Sequence, residues 1–331
     1  MSEKSQEIKK FFNIKKLFLE QPVFIIFLLF AIVIGIMKPN FLGLENLRNL
    51  FLDISVYGVV ACTMTIAIIC GEFDLSAAST FIWSQILFCT LLNLWGATAI
   101  GIIAAIIVTL VSGVIIGSIN GLIVTRLKIN SFITTLGMMI IIRGVALVFT
   151  NGDMVATQNK FIATVGTGSF LKIPYLIYIY VIFVLIAFFV MKYTRFGRNI
   201  FATGGNTIVA KLSGIRILFY KYMVFVIIGF ASALAGIMLV SQIRAGSVLY
   251  GTDLSLTAVA ATVIGGTSLS GGSGSVIKTF FGMLVLGLLY KALIFLGLQA
   301  YYQNLIKGLV LVVVVAMDAY LNRSGNVRRS L

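Results

Sequence analysis

The segment Gly71-Glu-Phe-Asp-Leu-Ser76 sets two carboxylates and a hydroxyl between two long apolar runs. Ionisable groups at membrane depth are costly, and where they persist they line a cavity or meet a partner. Two readings follow. Either the segment is a turn in which Asp74 or Ser76 caps the next helix, or it borders a solute path. A second stretch, Gly265-Gly-Thr-Ser-Leu-Ser-Gly-Gly-Ser273, aligns with Gly71 to Ser79, sharing a Gly, a Leu and two Ser. Both stretches follow an apolar run. Internal symmetry of this kind occurs in transporters whose sites form at broken helices. Gly- and Ser-rich turns also resemble one another through composition alone.

Other polar groups interrupt apolar walls. Arg143 stands beside Gly144 inside one apolar run, and Lys291 and Lys307 stand inside two others. Each either pairs with a carboxylate, touches a polar solute, or extends its stem toward the surface. For Lys307, near the end of its run, the last reading is favoured. Asp74, Thr134, Thr135, Arg143 and Ser268 are the candidate pathway residues. Covalent chemistry has little to work with. The chain has no histidine, which removes Ser-His and Cys-His triads, histidine-ligated metals and imidazole relays. Cys62, Cys70 and Cys89 lie in apolar stretches without ligand spacing, as small buried hydrophobes do. Gly266 to Thr279 superficially resembles a phosphate loop. Such a loop needs Gly directly before Lys, and Ile277 precedes Lys278 here. No metal or cofactor is expected, and any ATP hydrolysis belongs to another subunit.

These residues must be held by membrane-spanning helices. Of 331 residues, 60% are hydrophobic and 11% charged, against about 25% charged in soluble domains. A membrane β-barrel would show alternating segments of about ten residues, whereas the apolar runs here are continuous, as from Pro22 to Met37 and Ile100 to Ile116. The expected fold is all-α: a polytopic bundle of about ten spans, each of about 20 apolar residues. They fall near 19–37, 54–71, 77–95, 98–123, 131–149, 173–192, 219–241, 254–266, 276–297 and 303–320. Segment 44–52, with Arg48, is too polar to span and is expected at the interface. The organisation is a basic tail over 1–20, one transmembrane domain over 21–320 and a second tail over 321–331. Lysines ahead of the first run mimic a signal peptide, but no small-residue cleavage site follows, so a retained first helix is expected.

Lys and Arg concentrate in the N-terminal tail, at Arg126 and Lys128, across 192–221 and at the C-terminus. Lys38, Arg48, Lys160, Lys172 and Arg244 fall on the other side. The positive-inside rule then puts both termini in the cytoplasm and accounts for the net charge of +15. Charge scattered over loops does not suit nucleic-acid binding. The tail interleaves lysines with Phe11, Phe12, Ile14, Leu17 and Phe18; it is either a helix lying on anionic lipid or a solvated tail.

Two connections are long, an external one over 151–172 and a cytoplasmic one over 193–216. The second shows turn signals at Gly197 and Gly204-Gly205-Asn206. A short helix is predicted over 207–212, with Asn206 as N-cap and Gly214 as stop. It is either a docking element for a partner or a solvated basic loop.

A set of short motifs occurs in order along the chain: Asp74-Leu75-Ser76, Phe132 to Met138, Phe196-Gly197-Arg198, Gly204-Gly205-Asn206, Leu212 to Ile215 and Val263 to Gly272. Together, from about residue 40 to about residue 320, the chain resembles the permease subunits of bacterial ribose-type ABC importers. That family serves ribose, arabinose, galactose, xylose and the sugar-like signal autoinducer-2. The resemblance implies a type II-like importer permease in the cytoplasmic (inner) membrane. It also implies a second permease copy (the same chain or a paralogue), an ATP-binding cassette ATPase that holds ATP and Mg, and an extracytoplasmic sugar-binding protein. Segment 194–215 would be the coupling segment, a role carried to Arg195, Gly197, Arg198, Gly205, Asn206, Ala210 and Gly214. The family's first motif commonly reads G-G-I-D-L-S-V-G-S; here Glu72 replaces a Gly, and Ala77 and Ala78 replace Val and Gly. The implied activity is ATP-driven import of a monosaccharide by alternating access. An ion-gradient-driven transporter is the alternative, though Asp53, Asp74 and Asp318 offer it few carboxylates.

Overall fold

The computed structural model describes residues 32–36 and 38–327. The tail over 1–20 and most of the first expected span lie outside the described residues, as do residues 328–331. After a 3-10 turn at Pro39–Leu42, the helices are α1 (Leu44–Ile69), α2 (Ala77–Trp95), α3 (Ala99–Arg126), α4 (Ser131–Thr150), α5 (Lys160–Thr167), α6 (Tyr175–Tyr193), α7 (Arg195–Gly205), α8 (Thr207–Leu212), α9 (Ile217–Ile243), α10 (Leu254–Ile264), α11 (Val276–Phe295) and α12 (Ala300–Val327). Among the described residues, seven of these are long and apolar enough to cross a membrane: α1, α2, α3, α4, α6, α9 and α11. The two further spans expected at 254–266 and 303–320 correspond to the short α10 and to α12.

Helix α1 is the axis of the bundle. Its most apolar window is 89% buried, against 22% for α3 and α4, and it packs against α6, α9, α10 and α11. The outer helices keep apolar faces open, such as Ile103, Ile107 and Val111 on α3 and Ile140, Ile141 and Val148 on α4. Lipid tails satisfy such faces. With no hydrophobic force between helices in lipid, close backbone approach does the work. On α3, a Cβ at Gly113 or Gly117 would collide with the backbone carbonyls of Gly229 and Phe225 on α9. A Cβ at Gly58 of α1 would strike the ring of Tyr180, which is fully buried on α6.

Segment 44–52 is helical and continuous with the span that follows it. It forms the first turns of α1, a single helix of 26 residues, about 39 Å long. Glu45 sits in the first turn, where the helix dipole favours an anion. Arg48 donates to the Thr167 carbonyl at 3.2 Å, so its charge is met at the end of the bundle. The same end carries the ordered connection over 151–172. Strands β1 (Val155–Ala156) and β4 (Ala245–Gly246) pair antiparallel, and β2 (Ser169–Phe170) pairs with β3 (Ile173–Pro174). Asn159 caps α5 by accepting from Ile162 N and donates Nδ2–H to the Gly96 carbonyl. Helices α7 and α8 mark the opposite end.

Candidate functional site

At the α7–α8 end, α1 and α10 stop in the same way. Gly71 takes φ +84° and donates to Ile68, while Glu72 N donates to the Ala67 carbonyl. Gly266 takes φ +78° and donates to Val263, while Thr267 N donates to Thr262. Only glycine adopts this left-handed turn without strain. The two loops therefore open with the same turn, in a register one residue along from the sequence alignment: Gly266, not Gly265, stands in the place of Gly71. The loops also touch, through Gly272 N–H donated to the Ile69 carbonyl at 2.8 Å.

Helix α7 is seated on that contact. A Cβ at Gly204 would collide with the Ile69 carbonyl and lie 2.9 Å from Gly272 N, and a Cβ at Gly272 would lie 2.5 Å from Gly205 Cα. The turns expected at Gly197 and Gly204-Gly205 are thus replaced by helix. These glycines serve close approach, Gly197 to the Met191 carbonyl and Gly204 to that of Ile69. Thr194 caps α7 by accepting from Gly197 N. Helix α8 matches its expected bounds. Asn206 Oδ1 accepts from Ile208 N and Val209 N, both at 3.0 Å. Gly214, at φ +78°, ends the turn by donating to Lys211. Ala210 is buried, whereas Ile208, Val209 and Leu212 face outward, Leu212 with 83% of its surface exposed. Arg195, Arg198, Lys211 and Arg216 are exposed around them.

The first loop is pinned from three sides. Asp74 is buried, and its Oδ1 accepts from Ser76 N at 2.8 Å and Ser76 Oγ at 2.6 Å. Asn120 of α3 donates Nδ2–H to Ser76 Oγ at 2.7 Å. Burial pushes the Asp74 carboxyl up to about 6, although Ser76 and Asn120 pull it down. Leu75 N donates to Thr135 Oγ1 at 3.1 Å. Ser255 of α10 accepts from Ala78 N and donates to the Leu75 carbonyl. Glu72 is buried in an ion pair with Lys221 at the start of α9.

Of the pathway residues read from the sequence, the structure brings Asp74 and Thr135 to this loop. Thr134 is buried, and its hydroxyl meets no hydrogen-bond partner among the described residues. Arg143 lies on the open face of α4, without an ion pair among the described residues. Ser268 belongs to the second loop, where its N donates to Ser273 O and its Oγ accepts from Ser270 N. The five do not form one constellation.

The far end holds a polar cluster that sequence reasoning missed. Lys291 Nζ pairs with Asp53 at 2.7 Å, and Lys307 Nζ with Asp253 at 2.9 Å. The snorkelling reading of Lys307 gives way to an ion pair, with its ammonium 4.6 Å from the centre of the Tyr290 ring. The available signals were a lysine directly after Tyr290 and the Asp53/Tyr57 pair one helical turn apart. These groups border a cavity of about 470 Å³.

Comparison with known proteins bears on this geometry. Residues 46–315 match the family model described as branched-chain amino acid transport system / permease component. The ribose import permease protein RbsC of Haemophilus influenzae is 35% identical over 314 residues, covering 94% of this chain and 96% of that protein. The L-arabinose ABC transporter permease protein AraH of Azospirillum brasilense is 33% identical over 298 residues, 90% of this chain and 87% of that protein. RbsC of Bacillus subtilis is 37% identical over 290 residues, 87% and 89% of the two chains. No solved structure matches.

Proposed function

Because the chain belongs to the branched-chain amino acid transport system / permease component family, with ribose and arabinose permeases among its relatives, we propose that it carries a monosaccharide or sugar-like solute into the cytoplasm by ATP-driven alternating access. It is a multi-pass membrane protein and a transport subunit rather than an enzyme. Bare sugar hydroxyls would each lose roughly a few kcal/mol in hydrocarbon. A bundle with a polar route that opens to one side at a time removes that cost.

The observation that carries this reading is the glycine junction. Gly204 and Gly205 of α7 lie directly on Ile69, the last residue of α1, and on Gly272, within the loop after α10. Motion of α7 and α8 would reach the core helices through backbone contact, with no flexible side chain between. In this reading Arg195, Arg198 and the outward face of α8 meet a separate ATPase, which binds ATP and Mg. Gly197, Gly205, Asn206, Ala210 and Gly214 keep α7 and α8 in shape. A second permease chain and an extracytoplasmic sugar-binding protein complete the complex, in the inner membrane with both termini cytoplasmic. Asp74 and Thr135, which meet at the first loop, border the solute route in this reading, with Thr134 adjacent on α4 and Ser268 in the second loop; Arg143, on the open face of α4, does not.

The test is sugar-stimulated ATPase activity and uptake by the complex reconstituted with its ATPase and binding protein. Uptake should require ATP. Uptake sustained by an ion gradient in ATP-free vesicles would overturn the proposal.

A further inference from the structure

A cleft of about 920 Å³ opens at the α7–α8 end of the bundle, between the turn that joins α3 to α4 and the stretch that joins α8 to α9. Lys128 lines it from the first side and Lys211 and Arg216 from the second, and all three are exposed. None of the three is in an ion pair among the described residues. The carboxylate on the wall, that of Glu72, is taken by Lys221. The positive charges of Lys128, Lys211 and Arg216 thus stand unmatched around one concave surface, where their fields add and draw in anions. Lys128 also holds its backbone at φ +57°, a left-handed conformation that glycine or asparagine adopts more readily. A lysine in that place is accounted for by a use for its ammonium.

Apolar side chains frame these cations. Leu127 and Ile129 flank Lys128, Leu218 and Phe219 follow Arg216, and all four are exposed. They stand where α3 ends and where α4 and α9 begin, three helices long enough to span. That is the depth at which lipid headgroups give way to acyl chains.

We propose that this cleft binds the headgroup of an anionic phospholipid, with Lys128, Lys211 and Arg216 on the phosphate and the acyl chains along the apolar rim. A phosphate ester offers several acceptor oxygens to ammonium and guanidinium donors. Basic pockets between spanning helices on the cytoplasmic side suit such headgroups, and this is the end that the distribution of Lys and Arg assigns to the cytoplasm. A free anion would meet the charges but leave Leu127, Ile129, Leu218 and Phe219 to water. An acidic segment of a protein partner is disfavoured by the way α8 divides its faces. Thr207 and Lys211 line the cleft, whereas Ile208, Val209 and Leu212, the face assigned above to the ATPase, are exposed outside it. A bound lipid ties α8 to the turn between α3 and α4, and so holds the coupling segment against the membrane. The identity of the carried solute does not enter this inference.

The test is native mass spectrometry of the purified full chain, delipidated in detergent and titrated with phosphatidylglycerol or, as comparator, zwitterionic phosphatidylcholine. Wild type should retain phosphatidylglycerol preferentially. Lys128→Gln, Lys211→Gln and Arg216→Gln together should weaken that retention by roughly ten-fold or more, and each alone by less. Lys160→Gln with Lys172→Gln, a change of two exposed lysines at the far end, should leave it unchanged. Thermal unfolding in phosphatidylcholine checks that the variants are folded, and the single variants carry the comparison if the triple one is not. Equal retention of the two lipids by wild type, no loss in the cleft variants, or an equal loss in the far-end variant would overturn the site. Displacement of the lipid by inorganic phosphate would make the cleft a free-anion site, and displacement by the added ATPase subunit would make it a protein contact. Either result overturns the lipid assignment.

Discussion

The backbone of Gly204 rests against the carbonyl oxygen of Ile69 so closely that a single methyl group at position 204 would collide with it. The same carbonyl accepts from Gly272 N–H. One oxygen atom thus joins the last turn of α1, the loop after α10 and the end of α7.

Adjacent glycines should therefore respond differently to the same change. Gly204→Ala forces α7 off Ile69. Gly205→Ala places its Cβ 3.8 Å from Gly272 Cα, an ordinary contact. Overpacking of this kind costs about 1–3 kcal/mol. Sugar-stimulated ATPase activity of the assembled complex should fall sharply in Gly204→Ala and stay near wild type in Gly205→Ala. Equal activity in the two variants would remove the backbone junction from the coupling mechanism.

Asp74 gives a pH dependence with a definite sign. Its carboxyl is pushed up to about 6 in the folded chain from an ordinary value of 3.8. The folded state therefore holds the proton more tightly than the unfolded state. The stability from that difference is complete below the ordinary value and is lost as pH rises through about 6. The size is on the order of 3 kcal/mol. Thermal unfolding in detergent should show Tm falling between about pH 4 and about pH 6.5 in wild type and levelling above. Asp74→Asn, which keeps an acceptor for Ser76, should flatten that slope.

Glu72 and Lys221 offer a double-mutant cycle. The pair is partly screened, with 24% of the lysine side chain exposed and 6% of the glutamate. Glu72→Gln alone should cost about 1–2 kcal/mol, chiefly by leaving the ammonium without its counter-charge. Lys221→Met should cost a similar amount, and the two together less than the sum. Additive losses, measured by thermal unfolding, would mean that the pair contributes nothing as a pair.

The spans were legible because continuous apolar runs admit few alternatives in a chain of this composition. Helix α8 was legible too, because Asn206 and Gly214 act within a few residues of themselves. Helix α7 was not. Its glycines look like turn signals, and their actual purpose, approach to Met191 and Ile69, depends on other segments of the chain. The same limit hid the far-end cavity. Lys291 and Asp53 meet only once α1 and α11 lie side by side, and a local window shows each as an isolated charge. Thr135 was found as a polar interruption, but its role as acceptor for Leu75 N needs the fold. The partner of Arg48, the Thr167 carbonyl, also needs the fold, because it lies in a distant connection.

The shared carbonyl of Ile69 has a further consequence. With α1 and the loop after α10 fastened at one point, neither can slide along its axis alone while that hydrogen bond holds. The pair behaves as a yoke, its pivot beside α7 and its two arms running to Leu44 and Leu254. A displacement of either far end must therefore turn about the same backbone contact on which α7 rests.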